Sequence, residues 1–510
     1  MKKIVKLSFF VLVFSIFSCE DATDIIQKSE LSEDKAFQTV ADLQSGLNTV
    51  YASYGPDFGG NGDGDAILFN DLFTDNMKRG ESNQGQGSQE YSFILQPNSS
   101  PAVSIWGNRY STINSINRVL RAYDRIYPTL PTDDIVIDGN PLSTESKEDI
   151  FGAQQVKGQL LALRALSHFD LFEYFTEDYQ NAGGFSIIKM DFVPNIEDQY
   201  ERNTVAEILA FINDDITQSY DLLGDVNEGN INFININVVK ALQSRVAIVS
   251  GDYALSQTLT NELLDTAVSG FSLAQPTVYV NMFARASGTG IAGSEGELIF
   301  SLIRRPDDST IASNYYFNAV SLVGNPFFEA SKQLYDLYDA ADIRKQVNFT
   351  SETNLANDLI LIGKYPGNTV APLGNDVPVF RLSEMLLINA ECKARNSDLA
   401  GAAASIQLLR QARYSAGNAP VAPVFSSVNQ ALSVILLERR KEFAFEGHRY
   451  LDLKRLGKEL GVGVSRLASD AASFSAPTDL PANDYRFTLP IPQSELNANN
   501  IITQNTGYSN

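Results

Sequence analysis

Glu438, Glu442 and Glu446 recur at i, i+4 and i+8 within residues 438–455, ERRKEFAFEGHRYLDLKR. Paired carboxylates are the machinery of glycoside hydrolysis, which needs two of them roughly 5–10 Å apart across a cleft, one with a raised pKa. This spacing does not build that device. On a helix the three side chains share one face. Arg439, Arg449 and Arg455 stand near enough to pair with them and lower their pKa values. The expectation is a structural ion-pair network, and Arg381, Glu384 and Glu391 in a second stretch read the same way. Leu432, Ile435, Leu436, Phe443, Phe445 and Tyr450 fall near helical spacing, so one face of the segment must be buried.

The remaining chemistry-bearing residues are sparse. His168 and His448 each sit within a helical pattern and have no partners placed by the sequence for metal or acid–base work, so both read as structural. No G-x-S-x-G, H-E-x-x-H or Walker loop is present. Asn61, Asp63 and Asp65 have the 1-3-5 oxygen spacing of a calcium loop, but Ala66 stands where glycine is needed and Leu72 where glutamate is needed. A solvated acidic turn is the expectation there. No catalytic residue, metal ligand or cofactor is assigned.

The start of the chain fixes a compartment. Lys2, Lys3 and Lys6 precede an apolar run over 7–17 that ends at Ser18-Cys19, which describes a secretory leader too short to span a bilayer. Ile16-Phe17-Ser18-Cys19 reads as a loose lipobox, with Cys19 the lipidation site. Several acyl chains, at about 0.8 kcal/mol per buried methylene, would hold the protein on a membrane. The second of the two cysteines, Cys392, lies in an apolar helical pattern and reads as a buried thiol, so no disulfide is expected. Net charge is −22, falling to −25 once the three leader lysines are removed. Such a surface excludes nucleic acid and anionic lipid as partners. A hydrophobic content of 44% supports a large core.

Positioning these residues falls to helices. Over 156–175 the residues Leu160, Leu163, Leu166, Phe169 and Phe172 mark a helix. Helix pairs bracket residues 250–254 (238–249 and 255–264) and 396–400 (380–394 and 402–412). Both brackets have the form Ser/Gly-Asp-Tyr/Leu-Ala, and the small residues and short polar turns predict tetratricopeptide-like hairpins. A strand is expected at 297–303, and the tail from Leu489-Pro490-Ile491-Pro492 cannot be helical. Trp106 reads as core. Long loops at 55–101 and 271–328 are where function concentrates on such a scaffold.

Several stretches together resemble the SusD/RagB family of Bacteroidetes nutrient-binding lipoproteins. Glu446-Gly447-x-Arg449-x-x-Asp452-Leu453-x-Arg455 is similar to the family's C-terminal signature. Trp106 with Tyr110, Ile113 and Asn117, Leu163-Arg164-Ala165 with Phe169-Asp170-Leu171, and Phe380-Arg381 with Glu384 and Glu391 resemble its helical motifs. Residues 489–508 match its terminal pattern, with Thr506 where proline is common. Glu20-Asp21 resembles the acidic surface-export signal of such lipoproteins.

The resemblance implies an all-α fold of tetratricopeptide-like hairpins with long irregular ligand-facing loops and little β. The parts are a leader over 1–18, an N-terminal part over 19–230 and a C-terminal part over 231–510, forming one body. It also implies a non-enzymatic, lipid-anchored protein of the outer membrane, surface-exposed. Such a protein binds an oligosaccharide or polysaccharide and delivers it to a SusC-like TonB-dependent transporter. A peptide ligand, a surface glycoside hydrolase and a structural lid that binds nothing stay open as alternatives. Sugar binding needs apolar rings with a few planar polar groups. By loop position and residue type, the candidates are Asp75, Asn76, Arg79 and Tyr91 in the first loop and Tyr279, Phe283, Tyr315 and Tyr316 in the second.

Overall fold

The computed structural model describes residues 33–55, 66–127, 136–137, 140–141, 144–195, 197–224, 230–283, 296–303, 312–315, 326–366 and 376–509. The leader, Cys19, the 61–65 acidic motif and Tyr316 lie outside the described residues. Ten helices carry the argument: α1 (Val40–Ser53), α2 (Ala66–Leu72), α3 (Ser100–Ile126), α4 (Thr144–Phe175), α5 (Val205–Leu223), α6 (Ile236–Ser250), α7 (Tyr253–Leu264), α8 (Leu382–Arg395), α9 (Leu399–Arg413) and α10 (Val428–Glu442).

Local chemistry starts these helices. Thr39 and Thr204 open α1 and α5 with reciprocal caps: each hydroxyl accepts from the backbone three residues on, and Asp42 or Glu207 accepts the threonine N–H in return. The two expected hairpins are built alike. Asp252 N–H donates to the Ala247 carbonyl at 2.8 Å, as Asp398 N–H does to Lys393, and each aspartate caps the helix that follows. The residue before the aspartate, Gly251 in one turn and Ser397 in the other, takes positive φ. Close crossings are made by small residues. A Cβ on Gly158 of α4 would lie 2.9 Å from Leu223 of α5, and Ser219 donates to the Gly158 carbonyl at 2.7 Å.

Around α4 pack α3 and α5, and α7, α8, α9 and α10 follow as stacked layers. Residues from both halves of the chain share one main core, from Leu43 and Leu163 to Phe445 and Ile491. Trp106 and Cys392 are buried in it. Strand content is small. β1 (Met77–Arg79) pairs antiparallel with β3 (Phe328–Ala330), and β2 (Leu298–Leu302) with β4 (Val377–Arg381). The second ribbon brings Arg381, at the junction with α8, beside Glu297. No described helix is long and apolar enough to cross a membrane.

The glutamate row forms an ion network, but with other partners than those expected. Glu442, fully buried, binds Arg413 at 2.8 Å and Arg381 at 2.9 Å, with Arg344 at 3.4 Å. Arg381 and Arg413 also share Glu297, at 2.6 and 2.7 Å. Glu438 binds Arg344 and Arg410, both at 3.0 Å, and Glu446 binds Arg381 and Lys364. The segment's own arginines point elsewhere: Arg439 to Asp452, Arg449 to Asp75 and Arg455 to Glu391. The physical reason is that α10 ends at Glu442. Phe445 (φ 65°) and Gly447 (φ 82°) then turn the chain, which takes Glu446 off the helix face and leaves His448 in a turn rather than inside a helix. Burial opposes ionisation of Glu442, but Arg413 and Arg381 outweigh it and hold the carboxyl well below the usual range.

Removing one member of such a buried network strands its partners. Glu442→Ala is expected to lower the unfolding free energy by about 3–5 kcal/mol in urea denaturation. Glu459→Ala, which breaks the more exposed pair with Arg395, should cost about 0–1 kcal/mol.

Candidate functional site

Of the loop residues singled out in the sequence, Asp75, Asn76, Tyr91, Tyr279, Phe283 and Tyr315 are buried and Arg79 is half-buried. Asp75 is held by Arg449 through two bonds of 2.8 and 2.9 Å and by Arg440 at 3.2 Å. Burial resists its charge, yet the two arginines bring its pKa down to about 2. Asn76 accepts from Arg440 at 2.8 Å and donates to Asp71. Arg79 donates to the Asn83 and Ser473 carbonyls. Tyr91 is buried under the Arg466 guanidinium, 3.8 Å from its ring centroid. Tyr279 and Phe283 form a lid on the ion network, with Arg413 4.2 Å over the first and Lys364 4.6 Å over the second. Tyr315 packs on Tyr365 and Phe445. For five of the seven the reason is the same: cations from distant parts of the chain claim Asp75, Asn76, Tyr91, Tyr279 and Phe283, and loop position gives no sign of it.

A second set of ionisable groups lines a narrow chamber of about 90 Å³ between α2, α3, α4, α6, α8 and the 446–455 turn. Arg109 pairs with Asp170 at 2.7 Å and Arg245 with Glu384 at 2.6 Å. Glu173 faces this space, and its carboxyl has no ion-pair or hydrogen-bond partner among the described residues; burial pushes its pKa up to about 8. Burial, reinforced by Arg439, keeps His448 neutral, and burial, with the Arg164 charge adding to it, takes His168 down to about 3. A carboxylic acid near neutrality beside carboxylates is one half of a hydrolytic pair. The chamber, however, has room for about three waters at roughly 30 Å³ each, not for a sugar ring. Among the described residues no group of three or more His, Cys, Asp or Glu is placed to hold a metal ion.

Beside the chamber, and sharing Tyr179, Ile248, Val249 and Arg455 with it as walls, opens a groove of about 620 Å³. Its rings are Tyr179, Tyr253, Tyr485 and the buried Phe487. Tyr179 is fixed, donating to the Glu173 carbonyl and stacked on Phe172 at 5.3 Å. Tyr253 opens α7 directly after the Asp252 cap, with Arg395 4.7 Å over its ring. Tyr485 is 44% exposed, its ring set edge-on to Tyr508 at 4.9 Å. Gly507 permits this: a Cβ there would lie 2.4 Å from the Tyr485 ring.

Most charges around the groove are already engaged. Arg395 binds Glu459 at 2.6 Å, Arg455 binds Glu391, Arg486 binds Asp484 at 2.7 Å, and Glu177 accepts from the Thr506 backbone at 2.7 Å. Lys454, buried, donates to the Glu173 carbonyl at 2.7 Å. Exposed polar groups remain on Gln180, Asn483 and Lys458. The groove therefore offers flat rings with a few polar groups and little net charge. Sequence reasoning did not single out Tyr253 or Tyr485. The first belongs to a turn motif and the second to a tail with no local feature setting it apart.

Comparison with known proteins agrees with this architecture. Residues 367–508 match a family model described as the SusD family, and residues 29–247 match one described as starch-binding associating with outer membrane. SusD-like protein P2 of Formosa agariphila is 23% identical, over 100% of both chains. A SusD superfamily protein of Bacteroides thetaiotaomicron is similar in structure with a TM-score of 0.72 and 22% identity, over 92% of this chain and 100% of that one. A laminarin-binding SusD-like protein is similar with a TM-score of 0.68 and 20% identity, again over 92% and 100%.

The chamber predicts a specific pH dependence. Glu173 is raised in the folded state, so its contribution is fully present below about pH 4.5, its unfolded value, and is lost as pH rises through about 8. Glu173→Gln removes that slope. Relative to wild type, the variant should gain about 1–3 kcal/mol between pH 4.5 and 8.5, read from urea denaturation at the two pH values. An unchanged difference would mean that the carboxyl is ionised in the folded chain.

Proposed function

This chain belongs to the SusD family, and from that premise we propose that it is a surface lipoprotein that binds a neutral oligosaccharide or polysaccharide without cleaving it. The observation that carries the reading is the tyrosine groove. At about 620 Å³ it falls within the roughly 300–1,000 Å³ typical of ligand sites. Tyrosine rings accept the C–H faces of a sugar, while Gln180, Asn483 and Lys458 reach its hydroxyls. Because most of the surrounding acids and bases are paired with each other, the groove asks for no counter-charge from its ligand, which suits a neutral one. The family description, starch-binding with outer-membrane association, is of the same chemical kind, and so is the ligand named for the laminarin-binding neighbour.

Delivery to a SusC-like TonB-dependent transporter and anchoring through an acylated Cys19 complete the proposal. In it Asp75, Asn76, Arg79, Tyr91, Tyr279, Phe283 and Tyr315 act as positioning residues that stiffen the scaffold behind the ligand surface. Hydrolysis is disfavoured because neither of the carboxyls pushed up to about 7 or 8 is open to substrate: Glu173 faces a space too small for a sugar ring, and Asp71 is fully buried against Asn76.

Tyr485→Ala should weaken binding of a neutral glucan heptasaccharide about tenfold in isothermal titration, which corresponds to about 1.4 kcal/mol of lost stacking. The melting temperature should not change, and Tyr485→Phe should bind like wild type. Equal affinity for Tyr485→Ala and wild type would remove the groove from the account. Tight binding of peptides with none of glycans would replace the ligand class.

A further inference from the structure

We infer that the chain carries a second saccharide site, on the N-terminal half of α4 and away from the tyrosine groove, shaped for an uncharged glycan segment. The inference rests on the saccharide reading above and adds a place and a selectivity to it. A groove of about 340 Å³ lies between α1, residues 151–159 of α4 and residues 230–235 ahead of α6. Two phenyl rings stand open in it, Phe151 at 50% and Phe233 at 37% exposure. Phe233 is fixed rather than free. Tyr51 meets it edge-on at 5.3 Å, donates its hydroxyl proton to Gln159 Oε1 at 2.7 Å and accepts the Ile234 N–H at 2.8 Å.

The amides around these rings are oriented by bonds that use only half of each. Gln159, Asn230 and Asn235 spend their carbonyl oxygens on Tyr51, on the Asn232 N–H and on the N-cap of α6. Their NH₂ groups have no partner among the described residues. Gln155 is set the other way, its NH₂ donating to the Leu222 carbonyl at 3.0 Å and its oxygen left open. Three preset donors and one acceptor beside two exposed rings, one of them fixed, match the hydroxyls and C–H faces of a sugar.

None of the nine lining residues is charged, although the chain as a whole carries a net charge of −22. An ionised ligand would find no counter-charge there. A uronic acid polymer or a sulfated glycan is therefore excluded in favour of a neutral glycan.

Separation gives the second site its consequence. Gln155 and Phe175, the last residue of α4 before the tyrosine groove begins at Glu177, are about 30 Å apart at 1.5 Å rise per residue. A short oligosaccharide cannot reach both grooves. A polymer can, and its second contact is then made at high effective concentration. The chain should thus hold long neutral glycans far more tightly than short ones.

The test uses the whole mature chain as wild type, as Tyr253→Ala/Tyr485→Ala and as Phe151→Ala/Phe233→Ala. Native gels cast with laminarin, soluble starch or alginate give polymer affinity, and titration with a neutral glucan pentasaccharide gives stoichiometry. The phenylalanine variant should lose roughly tenfold or more of its affinity for whichever neutral polymer retards the wild type. It should also bind one pentasaccharide per chain where the wild type binds two, and alginate should retard none of the proteins. Phe151→Ala alone, at a half-exposed ring, supplies the same comparison if the double variant folds poorly. Wild-type retardation and stoichiometry in the phenylalanine variants would overturn the second site while leaving the tyrosine groove intact. Loss of all binding in the tyrosine variant alone would do the same. A wild type retarded by no neutral glycan would bring down the saccharide reading and this site with it.

Discussion

A lattice of guanidinium and carboxylate groups closed to water holds this molecule in register. Glu442 and Glu297 share Arg381 and Arg413, while Glu438, Glu446, Arg344 and Lys364 extend the lattice outward. Its members come from α9, α10, the β4–α8 junction, the short helix Ile343–Asn348 and irregular segments. An isolated buried charge is expensive, and each of these is tolerable only because its partners arrive from elsewhere in the chain. The lattice thus makes the packing of the C-terminal hairpins nearly all-or-none. It also draws Tyr279 and Phe283 inward as a cover, so that the loop carrying them is set by the core beneath it.

The same economy of charge shapes the surface. With most arginines of the central body committed to internal carboxylates or carbonyls, the open grooves are left with rings, amides and few unpaired ions. That arrangement suits a ligand that is itself uncharged and must be released again, since each contact is modest. Burial in the chamber beside the tyrosine groove favours the protonated form of Glu173, but the chamber lies behind the wall formed by Tyr179 rather than in the path of a bound chain. The long helix α4 sets the distance between the two grooves, so spacing is fixed by a rigid element rather than by a loop.

How much of this is legible in the sequence depends on how local each cause is. The hairpin turns at 250–254 and 396–400 can be read because an aspartate cap and a positive-φ residue are neighbours in the chain. The strand at 298–302, the core positions of Trp106 and Cys392 and the structural character of the glutamate row are legible for the same reason. The partners of the row are not. Arg413 lies 29 residues before Glu442 and Arg381 lies 61 before it, and the ending of α10 at Glu442 breaks the periodicity that pointed to Arg449 and Arg455. Tyr91 and Tyr279 look like binding residues because aromatic rings in long loops usually meet ligand or solvent. Only the fold reveals the arginines seated on them. Tyr253 and Tyr485 come together from α7 and the tail, a juxtaposition that no window of sequence contains.

The central claim is that the chain grips a neutral glycan and leaves its bonds intact. Proton NMR of the anomeric signals of a laminarin or starch oligosaccharide, recorded over hours with the purified mature chain, reads both halves at once. The account predicts that the signals of one of these glycans broaden in proportion to added protein while its reducing-end integral stays constant. A growing reducing-end signal would contradict it, as would lines that stay sharp with both glycans.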